Sequence, residues 1–181
     1  GMPKGLISCM TNVTLQGTQE LMKHKYVALI LATGGSDMVR AAHSVGKPAY
    51  GVGPGNVPAY VDRSADIPKA AKYIVASKAF DHSVICATEQ AVVADKPIAS
   101  QLEEAMKAEG AYFVDDNIKQ ILAKNLFVGH LPNPKGVGKS PQQLAQQYGF
   151  SVPDWARILV VRLNSVGRDD PLSGEKLTTV L

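Results

Sequence analysis

The chain has 181 residues, of which 45% are hydrophobic and 19% are charged. This composition is typical of a folded globular protein and excludes a disordered tail. Its 19 basic and 16 acidic residues give a net charge of +3 and are interleaved, without a basic tract or an aromatic-studded basic stripe. Nucleic-acid binding is therefore not expected.

Membrane insertion and secretion are not expected either. The longest uninterrupted apolar run, at 27–32, has six residues, whereas a membrane-spanning helix needs roughly 18 or more. The first residues lack the long apolar stretch and the small-residue cleavage site of a secretory signal. We therefore expect a cytoplasmic protein.

Short apolar runs alternate with helical periods in the first third of the chain, which predicts βαβ units around a parallel sheet. The predicted elements are a strand at 6–10, a helix at 14–25, a strand at 28–32, a helix through 38–45 and a strand at 48–52. Residues 51–58, GVGPGNVP, are too rich in Gly and Pro for a regular element and are interpreted as a connector. We therefore predict one domain at 1–56 and another at 57–181.

The second domain is also predicted to mix helices and strands. Asp66 is expected to cap a helix that ends at Phe80, and Ser140 and Gly149 to begin and close a later one. The other predicted elements are a strand at 91–94, a helix at 97–109, a strand at 112–114, a helix at 117–125 and a strand at 157–163. The whole pattern predicts an α/β fold.

Two glycine motifs have the wrong spacing for a phosphate loop. The run GVGPG at 51–55 lacks the GxGxxG spacing of a dinucleotide fingerprint. The Gly138-Lys139-Ser140 segment lacks the earlier glycine of a P-loop, since Asn133 stands there, and it is interpreted as a helix start. The turn Thr33-Gly34-Gly35 is better placed, because it follows a strand and opens a helix whose N–H groups can receive an anion or a cofactor. Such turns more often serve only as connectors.

The two cysteines, Cys9 and Cys86, are not paired in a metal-binding spacing, and the four histidines are scattered, so neither a disulfide framework nor a metal site is expected. Cys9 lies in a predicted strand and is expected in the core. Cys86 lies between a helix and a strand, where a scaffold can expose a fixed side chain, although a lone cysteine with such apolar neighbours is more often a small buried hydrophobic residue. His82 could activate this thiol or merely bind a loop carbonyl.

Three segments carry a resemblance to a known family when they are taken in order. They are ILATGGSDMVRAAHSVGKPAYGVGPGNVPAYVDRSADI, then SKAFDHSVICATEQAVV, then GEKL near the end. Together they closely resemble the CoA-acylating aldehyde dehydrogenases, including the aldehyde dehydrogenase half of bifunctional aldehyde-alcohol dehydrogenases, over nearly the entire chain. The resemblance implies the end of a Rossmann-type cofactor domain at 1–56, followed by an α/β catalytic domain at 57–181.

The resemblance also implies residue roles. Cys86 matches the nucleophile that attacks an aldehyde; hydride then passes to NAD, and coenzyme A takes the acyl group from the resulting thioester. The Cys86 N–H would be one donor to the oxyanion. Thr33, Gly34 and Gly35 match a turn beside the bound NAD, and Glu175 matches the glutamate that holds the nicotinamide ribose.

The connector differs from that of hydrolytic aldehyde dehydrogenases. Those enzymes have a Glu-Leu-Gly-Gly stretch whose glutamate activates water, and Val52 stands at that position here. A thioester without a general base resists water but can still react with a thiol, which favours acyl transfer to coenzyme A. The sequence also has His82-Ser83 where many relatives have Asn-Gly, so an altered aldehyde pocket or thiol environment stays open.

Compared with the family, the chain is expected to begin within the cofactor domain and to lack the far C-terminal part with its oligomerising hairpin. We expect little dehydrogenase activity from this chain alone, and a homo-oligomer acting on a small aldehyde in the full-length protein, in the cytoplasm or in a bacterial microcompartment. Two alternatives remain: a non-catalytic assembly module, and a hydrolytic or phosphorylating aldehyde dehydrogenase.

Overall fold

A computed structural model describes residues 1, 3–167 and 169–181. The chain divides into two compact units, Gly1–Pro54 and Gly55–Leu181. The division falls close to the domain boundary expected after residue 56. The assignment of the two units to a cofactor domain and a catalytic domain stays a prediction.

The first unit contains a pair of parallel strands with helices beside them. Its elements are α1 (Leu15–Lys23), β1 (Ile30–Thr33), α2 (Ser36–Ser44) and β2 (Ala49–Val52). The strands pair in parallel from Ile30 opposite Ala49 to Thr33 opposite Val52, joined through α2 as parallel pairing requires. A small core forms from Met22, Ile30, Ala32 and Ala42.

The strand predicted at 6–10 is wrong, because this segment is irregular. Leu6 and Ile7 are 62% and 86% exposed. Within the described residues the run pairs with no strand and packs under no layer, and an apolar run forms a strand only where such partners exist. Cys9 is exposed as well, which corrects the expectation that it lies in the core.

The second unit is a mixed α/β assembly with a larger core. Its elements are β3 (Val57–Val61), α3 (Ile67–Ala79), β4 (Glu89–Ala94), α4 (Ala99–Ala108), β5 (Ala111–Phe113), α5 (Asp116–Asn125), β6 (Phe127–Val128), β7 (Leu131–Pro132), α6 (Pro141–Tyr148) and β8 (Ile158–Val160). Strand β3 pairs with β4 and β5 with β8, both in parallel, whereas β6 and β7 form an antiparallel hairpin. Both units therefore confirm the α/β class.

Strand β3 lies partly inside the segment that was interpreted as an irregular connector, so that interpretation is wrong from residue 57 onward. The register of β3 against β4 shifts between Val57 and Pro58. Proline has no N–H to donate to a ladder, and an irregular register at a strand start accommodates it. The β6–β7 hairpin was also not predicted; Gly129, in the turn between its strands, has φ +63.

The helix boundaries follow local capping signals. Asp66 and Asp115 accept hydrogen bonds from the N–H groups of Lys69 and Ile118 at the starts of α3 and α5. Helix α6 begins at a capping box and ends at Gly149, which adopts the left-handed conformation. Among the described residues, no helix combines the length and apolar character needed to cross a membrane.

The capping box of α6 is expected to contribute measurably to stability. Ser140 Oγ accepts from the Gln143 N–H at 3.2 Å, and Gln143 Oε1 accepts from the Ser140 N–H at 2.9 Å. Ser140→Ala should lower the free energy of unfolding by about 1 kcal/mol, measured by urea denaturation. Gln146→Ala, an exposed site on the same helix, should leave it nearly unchanged. Equal values for the two variants would contradict the capping role.

Candidate active site

Cys86 lies on an exposed turn between α3 and β4. Thr88 closes this turn, because its N–H and its Oγ1 both donate to the Ile85 carbonyl, at 3.1 and 3.0 Å. The Ser83 hydroxyl lies 2.6 Å from Thr88 Oγ1. Since the Thr88 hydroxyl hydrogen is used on Ile85, Ser83 is the donor. The exposure contradicts the interpretation of Cys86 as a buried structural cysteine.

The chain enters this turn through a strained segment. Asp81, His82 and Ser83 have φ values of 47°, 47° and 62°. Residues with a Cβ pay roughly 1–2 kcal/mol in the left-handed region, whereas Gly and, to a lesser degree, Asn adopt it readily. The segment therefore keeps a backbone that suits the Asn-Gly of many relatives, although His82 and Ser83 stand there. The buried hydrogen bond from Ser83 to Thr88 helps to offset the strain.

The structure exposes His82 but does not join it to the thiol. Its imidazole makes no hydrogen bond to Cys86 Sγ or to any other group in the part of the chain that is described. Its strained backbone places it four residues before the cysteine, on the path that leads into the turn. A modulating role for His82 stays a prediction.

Gly55 lies between the Cys86 turn and Glu175. Its N–H donates to Glu175 Oε1 at 3.1 Å. A Cβ added to Gly55 would lie 2.6 Å from the Cys86 carbonyl oxygen, closer than real side chains approach. Only glycine permits such an approach of two backbones. Gly55 therefore contacts both Cys86 and Glu175, two residues that the sequence predicted for the site. Gly55 itself was not predicted to belong to it.

Glu175 is partly buried beside the first residues of the second unit. Burial raises the pKa of its carboxyl group, whereas the Gly55 hydrogen bond and the charge of Lys78 lower it. The same segment is attached to the connector a second time, because Asn56 Nδ2 donates to the Ser173 carbonyl at 3.1 Å. These bonds fix the position of the Glu175 carboxylate.

Two buried lysines, which the sequence analysis also missed, lie next to these elements. Lys78 is 0% exposed, and its Nζ donates to Gln90 Oε1 at 3.2 Å. Lys176 is 1% exposed, and its Nζ donates to the carbonyls of Gln90, Leu172 and Gly174 at 2.7, 2.8 and 2.9 Å. The sequence did contain a signal for the burial of Lys78, because it stands four residues after Ile74 and therefore on the apolar face of α3.

Burial changes the acid–base properties of both amines. Desolvation, with a smaller contribution from the charge of Lys176, lowers the pKa of Lys78 to about 6, against the opposing charges of Glu89 and Glu175. Desolvation also lowers the pKa of Lys176 to about 7, and Asp170 opposes that change. At neutral pH the Lys78 amine is therefore mostly uncharged, yet it still donates hydrogen bonds.

The predicted cofactor residues of the first unit form an exposed strand-to-helix turn. Thr33 ends β1, Gly34 donates its N–H to the Val52 carbonyl at 3.1 Å, and Gly35 is the N-cap of α2. All three are exposed, and a Cβ on Gly35 would meet no atom within 4 Å. The open start of a helix suits the binding of a cofactor phosphate.

Val52 ends β2 with an exposed side chain, and no carboxylate occupies its position. Across residues 1, 3–167 and 169–181, no group of three or more His, Cys, Asp or Glu side chains is arranged to hold a metal ion.

The close approach of Gly55 leads to a direct test. Gly55→Ala should force the Cys86 carbonyl to move and should lower the free energy of unfolding of the full-length protein by about 1–3 kcal/mol. Urea denaturation measures the loss. Gly53→Ala is the matched control, since a Cβ there would meet nothing within 4 Å. If both variants unfold at the same urea concentration, the close approach is refuted.

The buried Lys78 should make stability depend on pH. Its pKa rises from about 6 in the folded protein to its ordinary 10.5 in the unfolded chain, so the unfolded state binds more protons between these values. Stability therefore increases as pH rises from 6, by up to about 1.4 kcal/mol per pH unit for this lysine, and this contribution is lost as pH falls toward 6. Lys78→Met should flatten the rise measured by urea denaturation from pH 6 to 8.

Lys72→Met, at an exposed position of the same helix, should keep the wild-type slope. An equally steep slope in Lys78→Met would show that Lys78 is not the group responsible.

Comparison with known proteins agrees with the expected family. The model of the aldehyde dehydrogenase family matches residues 1–135. The aldehyde-alcohol dehydrogenase of Streptococcus pneumoniae is 43% identical over 190 residues, which cover 100% of this chain and 22% of that protein. The chain thus spans about a fifth of the length of this relative.

Solved structures give the same result for the fold. An acetylating aldehyde dehydrogenase from Geobacillus thermoglucosidasius matches with a TM-score of 0.95 and 49% identity, over 100% of this chain and 40% of that one. A propionaldehyde dehydrogenase from Rhodopseudomonas palustris, solved with bound propionyl-CoA, matches with a TM-score of 0.80 and 34% identity, over 92% of this chain and 37% of that one. The chain belongs to the aldehyde dehydrogenase family and has the α/β fold of its acylating members.

Proposed function

We propose that the protein containing this chain oxidises a small aldehyde to an acyl-CoA, and catalyses the reverse reaction, through a thioester on Cys86. The observation that carries the proposal is the exposed Cys86 thiol on a turn whose backbone Thr88 and Ser83 hold in place. The similarity to acylating aldehyde dehydrogenases supports it. Because the chain spans only part of these relatives, the proposal concerns the full-length protein.

The first step is attack by the Cys86 thiolate on the aldehyde carbon, which leaves a negative oxygen on the former carbonyl. A donor is available for that oxygen. The Val84 and Thr88 N–H groups are used on the Asp81 and Ile85 carbonyls, whereas the Cys86 N–H has no acceptor among the residues that the structure describes. In this role it would stabilise the oxyanion as charge develops.

Thr33, Gly34, Gly35 and Glu175 would hold NAD, which supplies the hydride acceptor when bound. The exposed helix start with open space at Gly35 suits a phosphate, and the fixed Glu175 carboxylate can accept hydrogen bonds from ribose hydroxyls. An engineered glycolyl-CoA reductase of the same fold was solved with bound NADP+, at 34% identity over 92% of this chain. This supports a nicotinamide nucleotide, and we propose NAD as the one used.

Coenzyme A is proposed as the acyl acceptor because of what the connector lacks. Water needs a general base to cleave a thioester, and Val52 supplies none at the position where hydrolytic relatives have one. A thiol ionises far more readily than water and attacks a thioester without such a base. The propionyl-CoA bound to the Rhodopseudomonas palustris relative supports this choice.

We further propose that the full-length protein is a homo-oligomer, found in the cytoplasm or in a bacterial microcompartment. The propionaldehyde dehydrogenase of a Clostridium phytofermentans fucose-utilisation microcompartment, 32% identical over 92% of this chain, supports the second location.

The nucleophile can be tested with the other exposed cysteine as control. In the full-length protein, Cys86→Ala should lower acyl-CoA formation by at least about 10³-fold, because the covalent step is lost. Cys9→Ala should keep the wild-type rate, although Cys9 is exposed too. The measurement is acyl-CoA produced from aldehyde, NAD and coenzyme A.

Product analysis of the wild type separates the alternatives. Acyl-CoA as the main product supports the proposal, whereas free acid or acyl phosphate would indicate a hydrolytic or phosphorylating enzyme. Undiminished acyl-CoA formation by Cys86→Ala would refute the thioester mechanism, and a full-length protein without dehydrogenase activity would indicate an assembly module.

A further inference from the structure

Gln90 lies buried at the start of β4, four residues after Cys86, with 1% of its surface exposed. Its Oε1 accepts two hydrogen bonds, from Lys78 Nζ at 3.2 Å and from the Lys176 N–H at 3.0 Å. Its main-chain carbonyl accepts a third, from Lys176 Nζ at 2.7 Å. One residue thus connects α3, β4 and the segment that carries Glu175.

On one side, Gln90 reaches the turn that presents Cys86. Its Nε2 is directed at the carbonyl and the Oγ1 of Thr88, at 3.4 and 3.5 Å. Thr88 Oγ1 in turn donates to the Ile85 carbonyl and accepts from Ser83. The Gln90 amide therefore lies against the hydroxyl group that closes the cysteine turn.

On the other side, Gln90 reaches the peptide that follows Glu175. The Lys176 N–H is held by Gln90 Oε1, and Lys176 Nζ holds the carbonyls of Leu172 and Gly174. The backbone is therefore fixed before and after Glu175. The carboxylate itself accepts from the N–H of Gly55, where an added Cβ would lie 2.6 Å from the Cys86 carbonyl oxygen.

We propose that Gln90 is a positioning residue, which sets the Glu175 carboxylate relative to the Cys86 turn through Lys176 and Thr88. The inference rests on the proposed function of Cys86 and goes beyond it by assigning a role to a residue that touches neither substrate nor cofactor. Cofactor binding and thiol reactivity then depend on one buried amide.

The chemistry of an amide suits this position. Its oxygen has two lone pairs and can accept from both lysine donors, while its NH₂ group can donate to Thr88. A methionine of similar length would offer neither, and both donors on Oε1 would lose their acceptor. A glutamate would keep the two acceptor sites, add a negative charge beside Lys78 and replace the NH₂ group that faces Thr88 by an oxygen.

The test uses the full-length protein with three variants. Gln90→Met removes both amide groups, Gln90→Glu keeps the acceptor, and Thr179→Val is the structural control. Thr179 is 0% exposed and donates to the Lys139 carbonyl at 2.8 Å, so the control loses a buried hydrogen bond in the same unit but outside this network. The measurements are KM for NAD, kcat, the melting temperature and the alkylation rate of Cys86 by iodoacetamide, followed by peptide mass spectrometry to separate it from Cys9.

Gln90→Met should raise KM for NAD at least fivefold and change the alkylation rate at least threefold, at a temperature where it is fully folded. Gln90→Glu should bring KM back to within threefold of the wild type. Thr179→Val should lower the melting temperature and leave KM and the alkylation rate within twofold.

If Gln90 has only a structural role, Gln90→Met should have a lower melting temperature, as Thr179→Val does. Its KM for NAD and the alkylation rate of Cys86 should then stay unchanged. That outcome would overturn the proposal. If Gln90→Met does not fold, Gln90→Glu decides, since it removes the amide NH₂ that faces Thr88; an unchanged alkylation rate of Cys86 then refutes the role. Loss of the proposed function is recognised separately, because the wild type would then make no acyl-CoA or Cys86→Ala would keep its activity.

Discussion

The buried amines of Lys78 and Lys176 need hydrogen-bond acceptors, and this need organises the backbone around the candidate site. An unpartnered amine in such surroundings would cost several kcal/mol. The acceptors that satisfy the two lysines are the Gln90 side chain and the carbonyls of Gln90, Leu172 and Gly174. These groups belong to the segments that lead from the cysteine turn and toward Glu175. Burial lowers the pKa of both lysines, and the three carbonyls around Lys176 Nζ match the three N–H donors of its ammonium form.

The Cys86 turn combines an exposed side chain with a constrained backbone. The residues that lead into it, Asp81 to Ser83, adopt left-handed conformations that only surrounding interactions can maintain. Thr88 closes the turn from its buried side, and Gly55 packs against the Cys86 carbonyl without a side chain between them. A reactive thiol benefits from this arrangement, since access requires exposure whereas attack requires a fixed direction. The strained backbone at 81–83 thus lies next to the residue whose side-chain direction would matter most, Cys86.

Local signals predicted the helices well, and tertiary structure decided the rest. Asp66 as a cap and the Ser140–Gly149 helix were predicted correctly, because capping depends on neighbouring residues. The strand predicted at 6–10 does not form, because the described residues offer it no partner strand. Strand β3 was not predicted, because it lies in a Gly/Pro-rich segment and depends on pairing with β4, which is distant in the sequence. The resemblance implies the roles of Cys86 and Glu175, which stay predictions. The contact of Gly55 with Glu175 spans 120 residues, and the burial of a lysine depends on the assembled core.

In the proposed mechanism, the acyl acceptor depends on what surrounds a thioester at Cys86 rather than on the thiol itself. Water is a weak nucleophile and needs a base, whereas a thiol near its pKa of about 8.5 already supplies some thiolate at neutral pH. Val52 offers no base at the connector. Glu175 is the carboxylate joined to the cysteine turn through Gly55, and one of its oxygens already accepts the Gly55 N–H. In our proposal the same carboxylate would also hold a ribose, which would leave it poorly placed to take a proton from water, so the proposed site favours transfer to a thiol.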